Sequence, residues 1–311
     1  MSNVDPKKLI DLDQCVINAL ELFANPKTRL RKLDFPRFAH PLVVGSGNAA
    51  ATGRIMFADT DAVFADESTY KISLEVVPNI DAVVIVSASG GKHAPIIAEF
   101  LRSRGKTIPI LLLTCNKKAQ AKKDVDEMIE FPWNPEPYTY NTSTYMGMIL
   151  SKTREDPKAI LEHIRKVVDP AVREFGTPVG SFDAYFLLVP EPLDLIRPML
   201  STKFVELFGR RVARDVFTKA QAMHATTLVS YDTELFISFG VENDWWGEPQ
   251  RRLYIPLPSN ASHAAIMAVG YYVIGKIQAQ KFPFFKTNVA TYCQEAEKWF
   301  GHALEVEVRY A

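Results

Sequence analysis

Residues 81–95 read DAVVIVSASGGKHAP. The apolar run from Ala82 to Val86 ends abruptly in two serines and two glycines. A run this short, bounded by turn residues, predicts a buried parallel strand. Beyond it, Pro95, Ile96, Ile97, Ala98, Phe100 and Leu101 are spaced as on a helix. Strand, small-residue loop and helix in that order restrict the chain to an α/β architecture. They also put the loop at the carboxyl end of a strand, where such sheets bind ligands. Ser87, Ser89, Gly90 and Lys92 offer hydroxyls, free backbone N–H groups, a helix N-terminus and a cation. All of these suit an anionic oxygen, most simply a phosphate. A turn that needs small residues only for steric reasons would read the same way.

The same rhythm extends along the chain. Apolar spacing predicts a helix over residues 6–23, stopped at Asn25-Pro26 because a residue before proline avoids helical backbone. Residues 41–44 predict a strand, followed by Gly45-Ser46-Gly47-Asn48 and a helix start. Further strands are predicted at 63–66, 108–114 and, more weakly, 127–131. Asn141-Thr142-Ser143-Thr144 stands before an apolar helical stretch, which is N-cap chemistry and a third polar loop. Residues 151–174 read as one charged bridging helix. A strand at 181–189 restarts the alternation but ends in Pro190-Glu191-Pro192, with no glycine loop. Residues 199–222 read as one long helix, 235–239 and 252–256 as strands, and 261–279 as an apolar helix. Alternating strands and helices predict parallel sheets covered on both faces.

Composition narrows the partners. Thirty-six basic residues balance 36 acidic ones, so overall charge supports neither nucleic acid nor a membrane surface as a partner. Three scattered cysteines fit a reducing compartment rather than a disulfide framework. The six histidines show no metal-ligand spacing, so no metal is expected. The first residues carry no signal-type apolar core and no run is long enough to span a bilayer, so a cytoplasmic protein is expected.

The ordered set Gly45-Ser46-Gly47-Asn48, Ser87-Ala88-Ser89-Gly90, and Glu136 followed by Asn141-Thr142 resembles the sugar isomerase (SIS) domain. This phosphosugar-binding fold usually occurs in tandem, as in the phosphoglucose/phosphomannose isomerases and the isomerase half of glucosamine-6-phosphate synthase. The resemblance covers residues 41–150 well and 181–301 more loosely. It implies two SIS-like domains, each a flavodoxin-like three-layer sandwich with a parallel sheet flanked by helices. The implied divisions are an N-terminal helix and connector at 1–40, a phosphosugar-binding domain at 41–155, a linker helix at 156–178, and a second domain at 179–311. It also implies that Ser46, Asn48, Ser87, Ser89, Gly90, Thr139 and Asn141 contact the sugar phosphate. Lys92 stands where the family usually has threonine, and it can meet phosphate as a point charge. The family's catalytic glutamate falls on Glu206 and its histidine on His224. The implied reaction is aldose–ketose isomerisation of a hexose or amino-hexose 6-phosphate through an enediol. It needs no cofactor, and the implied assembly is a homodimer whose sites are completed across subunits.

Enediol chemistry moves a proton between adjacent carbons. It needs a base with a raised pKa and an acid/base group to open the ring. Glu206 and His224 suit those roles, but Glu206 and Arg210 also have the spacing of an ordinary helical ion pair. A histidine near a helix C-terminus is favourable there without any catalytic role. His263 and Lys286 are rival ring-opening groups, and Trp245-Trp246 reads as a sugar-stacking platform or a loop anchor. Two other functions fit. Gly45-x-Gly47-x-x-Ala50, with Asp66 about twenty residues on, matches a relaxed dinucleotide fingerprint and suggests a nicotinamide-dependent dehydrogenase. The serine loop counts against that, since phosphosugar binding explains it and the dinucleotide reading does not. A non-catalytic phosphosugar sensor is the third reading.

Overall fold

The computed structural model describes residues 5–33, 37–105, 108–225, 231–301 and 303–310. Five short apolar runs form its first sheet: β1 (Pro41–Val44), β2 (Val63–Ala65), β3 (Ala82–Val86), β4 (Ile110–Thr114) and β5 (Glu127–Glu130). All pair in parallel, in the order β2-β1-β3-β4-β5. The chain winds outward from β1 towards β2, then from β3 towards β4 and β5. The direction therefore switches between β1 and β3, which opens a crevice beyond their carboxyl ends. The loops after these two strands are the serine and glycine loops singled out in the sequence.

A second sheet is built from β7 (Ala184–Val189), β8 (Ala213–Thr218), β9 (Glu234–Phe239) and β10 (Arg252–Ile255). Its order, β10-β9-β7-β8, is again wholly parallel. One apolar core runs between the sheets. Val84, Val86 and Leu113 enter it from the first, and Leu187, Val189 and Ile237 from the second. Each such side chain, fully buried, contributes about 1.5–3 kcal/mol. The helices between the sheets include α1 (Leu12–Ala24), α5 (Thr142–Thr153), α8 (Arg197–Phe208) and α10 (His263–Gln280). α10 packs on the other three. Every residue from Ala264 to Gly275 is buried, so this stretch of the helix is apolar on all sides, as an enclosed helix must be. At its contact with α1 a Cβ on Gly275 would stand 2.0 Å from the Asp13 nitrogen, so only glycine permits the approach.

On the outer face of the first sheet, Leu42, Val83, Ile85 and Leu112 pack under α3 (Tyr70–Val76) and α4 (His93–Ser103). α2 (Asn48–Met56) lies on the inner side, where Ile55 and Met56 join the shared core. A last helix, α11 (Phe284–Phe300), leads into a C-terminal segment whose strand β11 (Glu307–Val308) pairs antiparallel with β6 (Glu136–Pro137). Among the described residues no helix is long and apolar enough to cross a membrane.

Three sequence readings change. The helix expected over 6–23 is a single turn at Pro6–Lys8 followed, after a break, by α1. The helix expected over 151–174 is interrupted at Arg154, whose φ of +60° ends α5. The chain then resumes as α6 (Pro157–His163), a wide turn at Ile164–Val168 and α7 (Asp169–Arg173). The helix expected over 199–222 is three elements. Gly209, at φ +59°, closes α8. Arg210 to Thr218 then turns into β8, and α9 (Lys219–Ala225) follows. Apolar residues in VARDVFT fit both periods, and pairing with β7 decides for the strand.

Candidate active site

The crevice beyond β1 and β3 is a cavity of about 620 Å³. Ser46, Asn48, Ser87, Ser89, Lys92, Thr139, Asn141 and Glu206 all line it. Gly90 does not face the cavity. It supports the loop from below, where a Cβ would come 2.3 Å from the Ala119 Cβ, and its φ is +60°. The serine loop is fixed from β4: Thr114 Oγ1 donates to the Ala88 carbonyl at 3.0 Å and Asn116 Nδ2 to the Ser89 carbonyl at 3.0 Å. Ser87 Oγ accepts from Gly90 N–H and Ser89 Oγ from Gly91 N–H, both at 3.2 Å. Each serine thus keeps its own O–H to donate into the cavity. The N-termini of α2 and α4 open at the same place, and their partial positive charge favours an anion.

The third polar loop is built differently. Glu136 is buried, and its carboxylate accepts from Thr142 N–H at 2.5 Å and Ser143 N–H at 2.6 Å. The chain's own acid therefore occupies the N-terminus of α5, which leaves α2 and α4 for a ligand. Burial pushes the Glu136 carboxyl up, while those donors and Lys203 pull it down. Thr139 and Asn141 stand at φ +72° and +48°, and Lys92 at +52°. Three of the five non-glycine residues with positive φ among the described residues thus line this one cavity. Such backbone costs about 1–3 kcal/mol per residue and persists where the surroundings hold it.

What holds the Thr139–Tyr140 turn is Lys203, a residue the sequence reading passed over. Its side chain is fully buried, and Nζ donates to the Thr139 carbonyl at 2.9 Å, the Tyr140 carbonyl at 2.8 Å and Glu206 Oε2 at 2.6 Å. The i,i+3 spacing of Lys203 and Glu206 on α8 was the available signal. Tyr140 is pinned further by Gln278 Nε2, which donates to its hydroxyl at 2.7 Å. Glu206 faces the cavity with 21% of its side chain exposed. Burial pushes its carboxyl above the ordinary range, and Lys203 opposes that. A partly desolvated carboxylate, oriented by a cation that also fixes the neighbouring loop, has the properties of a positioned base. Lys203, and not Arg210, is its ion-pair partner.

Lys92 caps the serine-loop side of the cavity. Its ammonium donates to the Tyr138 hydroxyl at 2.9 Å and lies 4.2 Å from the Phe300 ring centre. Burial lowers its pKa. Leu304, Val308, Arg309 and Tyr310 reach the cavity from the C-terminal segment, so the last residues of the chain help enclose it. Nothing in the local sequence announced that contribution, which arises from the β11–β6 pairing.

Other candidates fall elsewhere. His224 sits exposed on α9, whose Ala222 packs with Phe186 and Phe236 on the outer face of the second sheet. α8 packs on the inner face, so the sheet stands between Glu206 and His224 of the same chain. β8, read as helix in the sequence, is what carries the chain across. Lys286 pairs with Asp11 at 2.9 Å, and neither it nor His263 lines the cavity. Trp246 packs against Phe186 and serves as a loop anchor, again away from the cavity. Asp66 Oδ1 accepts from the backbone and hydroxyls of Ser68 and Thr69, which hold its carboxyl down to about 2. It caps the turn before α3 and is already engaged where a dinucleotide would need a ribose-binding acid. Among the described residues no group of histidines, cysteines and carboxylates could hold a metal ion.

No family model matches the sequence, and no curated protein does. Solved structures do match. Glucosamine-6-phosphate deaminase from Thermotoga maritima superposes with a TM-score of 0.60 at 12% identity, over 88% of this chain and 95% of that one. The C-terminal domain of glucosamine-fructose-6-phosphate aminotransferase from Francisella tularensis gives 0.58 at 10%, over 86% and 94%. Tagatose-6-phosphate ketose/aldose isomerase from Escherichia coli gives 0.57 at 11%, over 91% and 92%. The chain has the SIS-like fold: parallel sheets flanked by helices, in the arrangement these proteins share. At such identities the likeness carries the fold and leaves the reaction to the residues.

Proposed function

We propose that this protein binds a phosphorylated sugar in the cavity beyond β1 and β3 and isomerises it between aldose and ketose forms. The observation that carries the reading is Glu206: a carboxylate held by buried Lys203 faces the same cavity as the serine loop. Ser46, Asn48, Ser87, Ser89 and Lys92 bind the phosphate, and Thr139 and Asn141 orient the sugar. Glu206 takes the proton from one of two adjacent carbons and returns it to the other through an enediol. The substrate is a hexose or amino-hexose 6-phosphate, in keeping with what the matched structures are named for. The residues at 41–155 and 179–311 act as two SIS-like halves, the first gripping phosphate and the second carrying the base. His224 opens the sugar ring only if a second copy of the chain presents it, so the reading includes a homodimer. Sedimentation equilibrium separates dimer from monomer.

Thermal unfolding tests the ligand class, because a ligand that binds the native state raises the melting temperature. Glucose 6-phosphate or fructose 6-phosphate at millimolar concentration should protect the protein, and NAD or NADP should not. Protection by the dinucleotides alone would replace this reading with the dehydrogenase.

A further inference from the structure

Behind Glu206 lies a second cavity, of about 630 Å³. It shares Thr139, Glu206 and Tyr292 with the first, so the base stands in the wall between two chambers of similar size. The chambers differ in chemistry. The first is lined by hydroxyls, glycines and helix N-termini. The second has walls of Phe284, Phe285 and Tyr292, and a mouth bearing Arg210 and Arg211 from the turn after α8. Arg211 lies 5.3 Å over the Phe284 ring, which fixes its guanidinium at the rim. Among the described residues neither arginine has a carboxylate partner. Lys286, on the adjoining turn of α11, is by contrast neutralised by Asp11. Among the described residues Glu206 is the one acid in the second lining, and its charge is already answered by Lys203. The chamber therefore carries an excess of two positive charges beside an aromatic wall. Guanidinium groups in that state bind phosphate or carboxylate through charge-assisted, often bidentate, hydrogen bonds.

The geometry points to a ligand that spans both chambers: a sugar phosphate with a second anionic group at the end remote from the first phosphate. This rests on the phosphosugar reading of the first cavity and extends it. The first phosphate sits at the serine loop, the carbon skeleton passes Glu206 and Tyr292, and the second anion meets Arg210 and Arg211. Such a compound competes with singly phosphorylated sugars for the first chamber and holds on more tightly. The second chamber thus sets which sugar phosphates the site prefers.

The test compares fructose 6-phosphate with fructose 1,6-bisphosphate by isothermal titration calorimetry, on the full chain and on the double variant Arg210→Ser/Arg211→Ser. Both arginines are exposed, beyond the end of α8, so the variant keeps the fold. The inference expects the bisphosphate to bind the unaltered protein about tenfold or more tightly than the monophosphate, the size of a charge-assisted contact. It expects that ratio to fall to about one in the double variant. A ratio of about one in the unaltered protein, or a gain that survives the double substitution, overturns the inference while leaving the phosphosugar reading intact. Failure of both sugars to bind overturns the two together.

Discussion

Lys203 and Glu206 show how much of the account turns on single residues. A lysine with no exposed side-chain surface is costly unless its charge and all its donors are answered. Here all three partners sit in or beside the candidate site: two carbonyls of the third loop and the base. Replacing Lys203 with Met should keep most of the volume but remove the cation. The Glu206 carboxyl, already raised by burial, then loses the group that pulls it down, so its pKa rises further. Because the base acts when ionised, the acidic limb of the kcat/KM profile should move to higher pH. An unmoved limb in a folded variant would remove Lys203 from the proton chemistry. The two carbonyls left without a donor should also cost about 1–3 kcal/mol each, read as a lower melting temperature. The sequence showed Glu206 but not this arrangement. A lysine three residues before a glutamate is the spacing of countless surface pairs, and only packing against α10 and the third loop takes it out of water.

At the scale of elements, the three loops of the first half were legible because their chemistry is local. Short apolar strands, small residues and caps each leave a mark within a few positions. Gly90 is an example. Its positive φ and its contact with Ala119 both require a missing side chain. Gly90→Ala should destabilise the protein by more than about 1 kcal/mol, because the substitution that is mildly stabilising where the backbone accepts alanine costs more than that gain where it does not, and should weaken phosphosugar binding because Ser87 and Ser89 move with the loop. Denaturant unfolding and sugar-phosphate titration check the two effects, and an alanine variant unchanged in both would contradict the close fit of the loop. The second half was read less well. The apolar residues of β8 satisfy either period, and its neighbours in the sheet, not its own sequence, settle the matter. The resemblance sets His224 beside Glu206, whereas β8 and the crossing it makes put the sheet between them in one chain.

For the molecule as a whole, Glu206 and the serine loop come from distant parts of the chain. Ser87 and Glu206 are brought to one cavity by the core shared between the two sheets, and α10 at its centre touches α1, α5 and α8. α11 and the C-terminal segment then return to β6, with which β11 forms a separate two-stranded sheet, so that Tyr310 and Phe300 complete the enclosure. These long-range closures have no local sequence signature, which is why the serine-loop side of the cavity was legible and its C-terminal wall was not. The account's central claim is that Glu206 moves a carbon-bound proton of a sugar held by its phosphate. Proton NMR of glucose 6-phosphate, fructose 6-phosphate and mannose 6-phosphate incubated with the protein in D2O tests this most directly. The account predicts loss of the C2 proton signal, or its replacement by deuterium, for at least one of these sugars. It predicts that Glu206→Gln abolishes the exchange while the sugar still binds. Tight binding without exchange would make the protein a phosphosugar sensor, and exchange that survives in Glu206→Gln would contradict the assignment of the base.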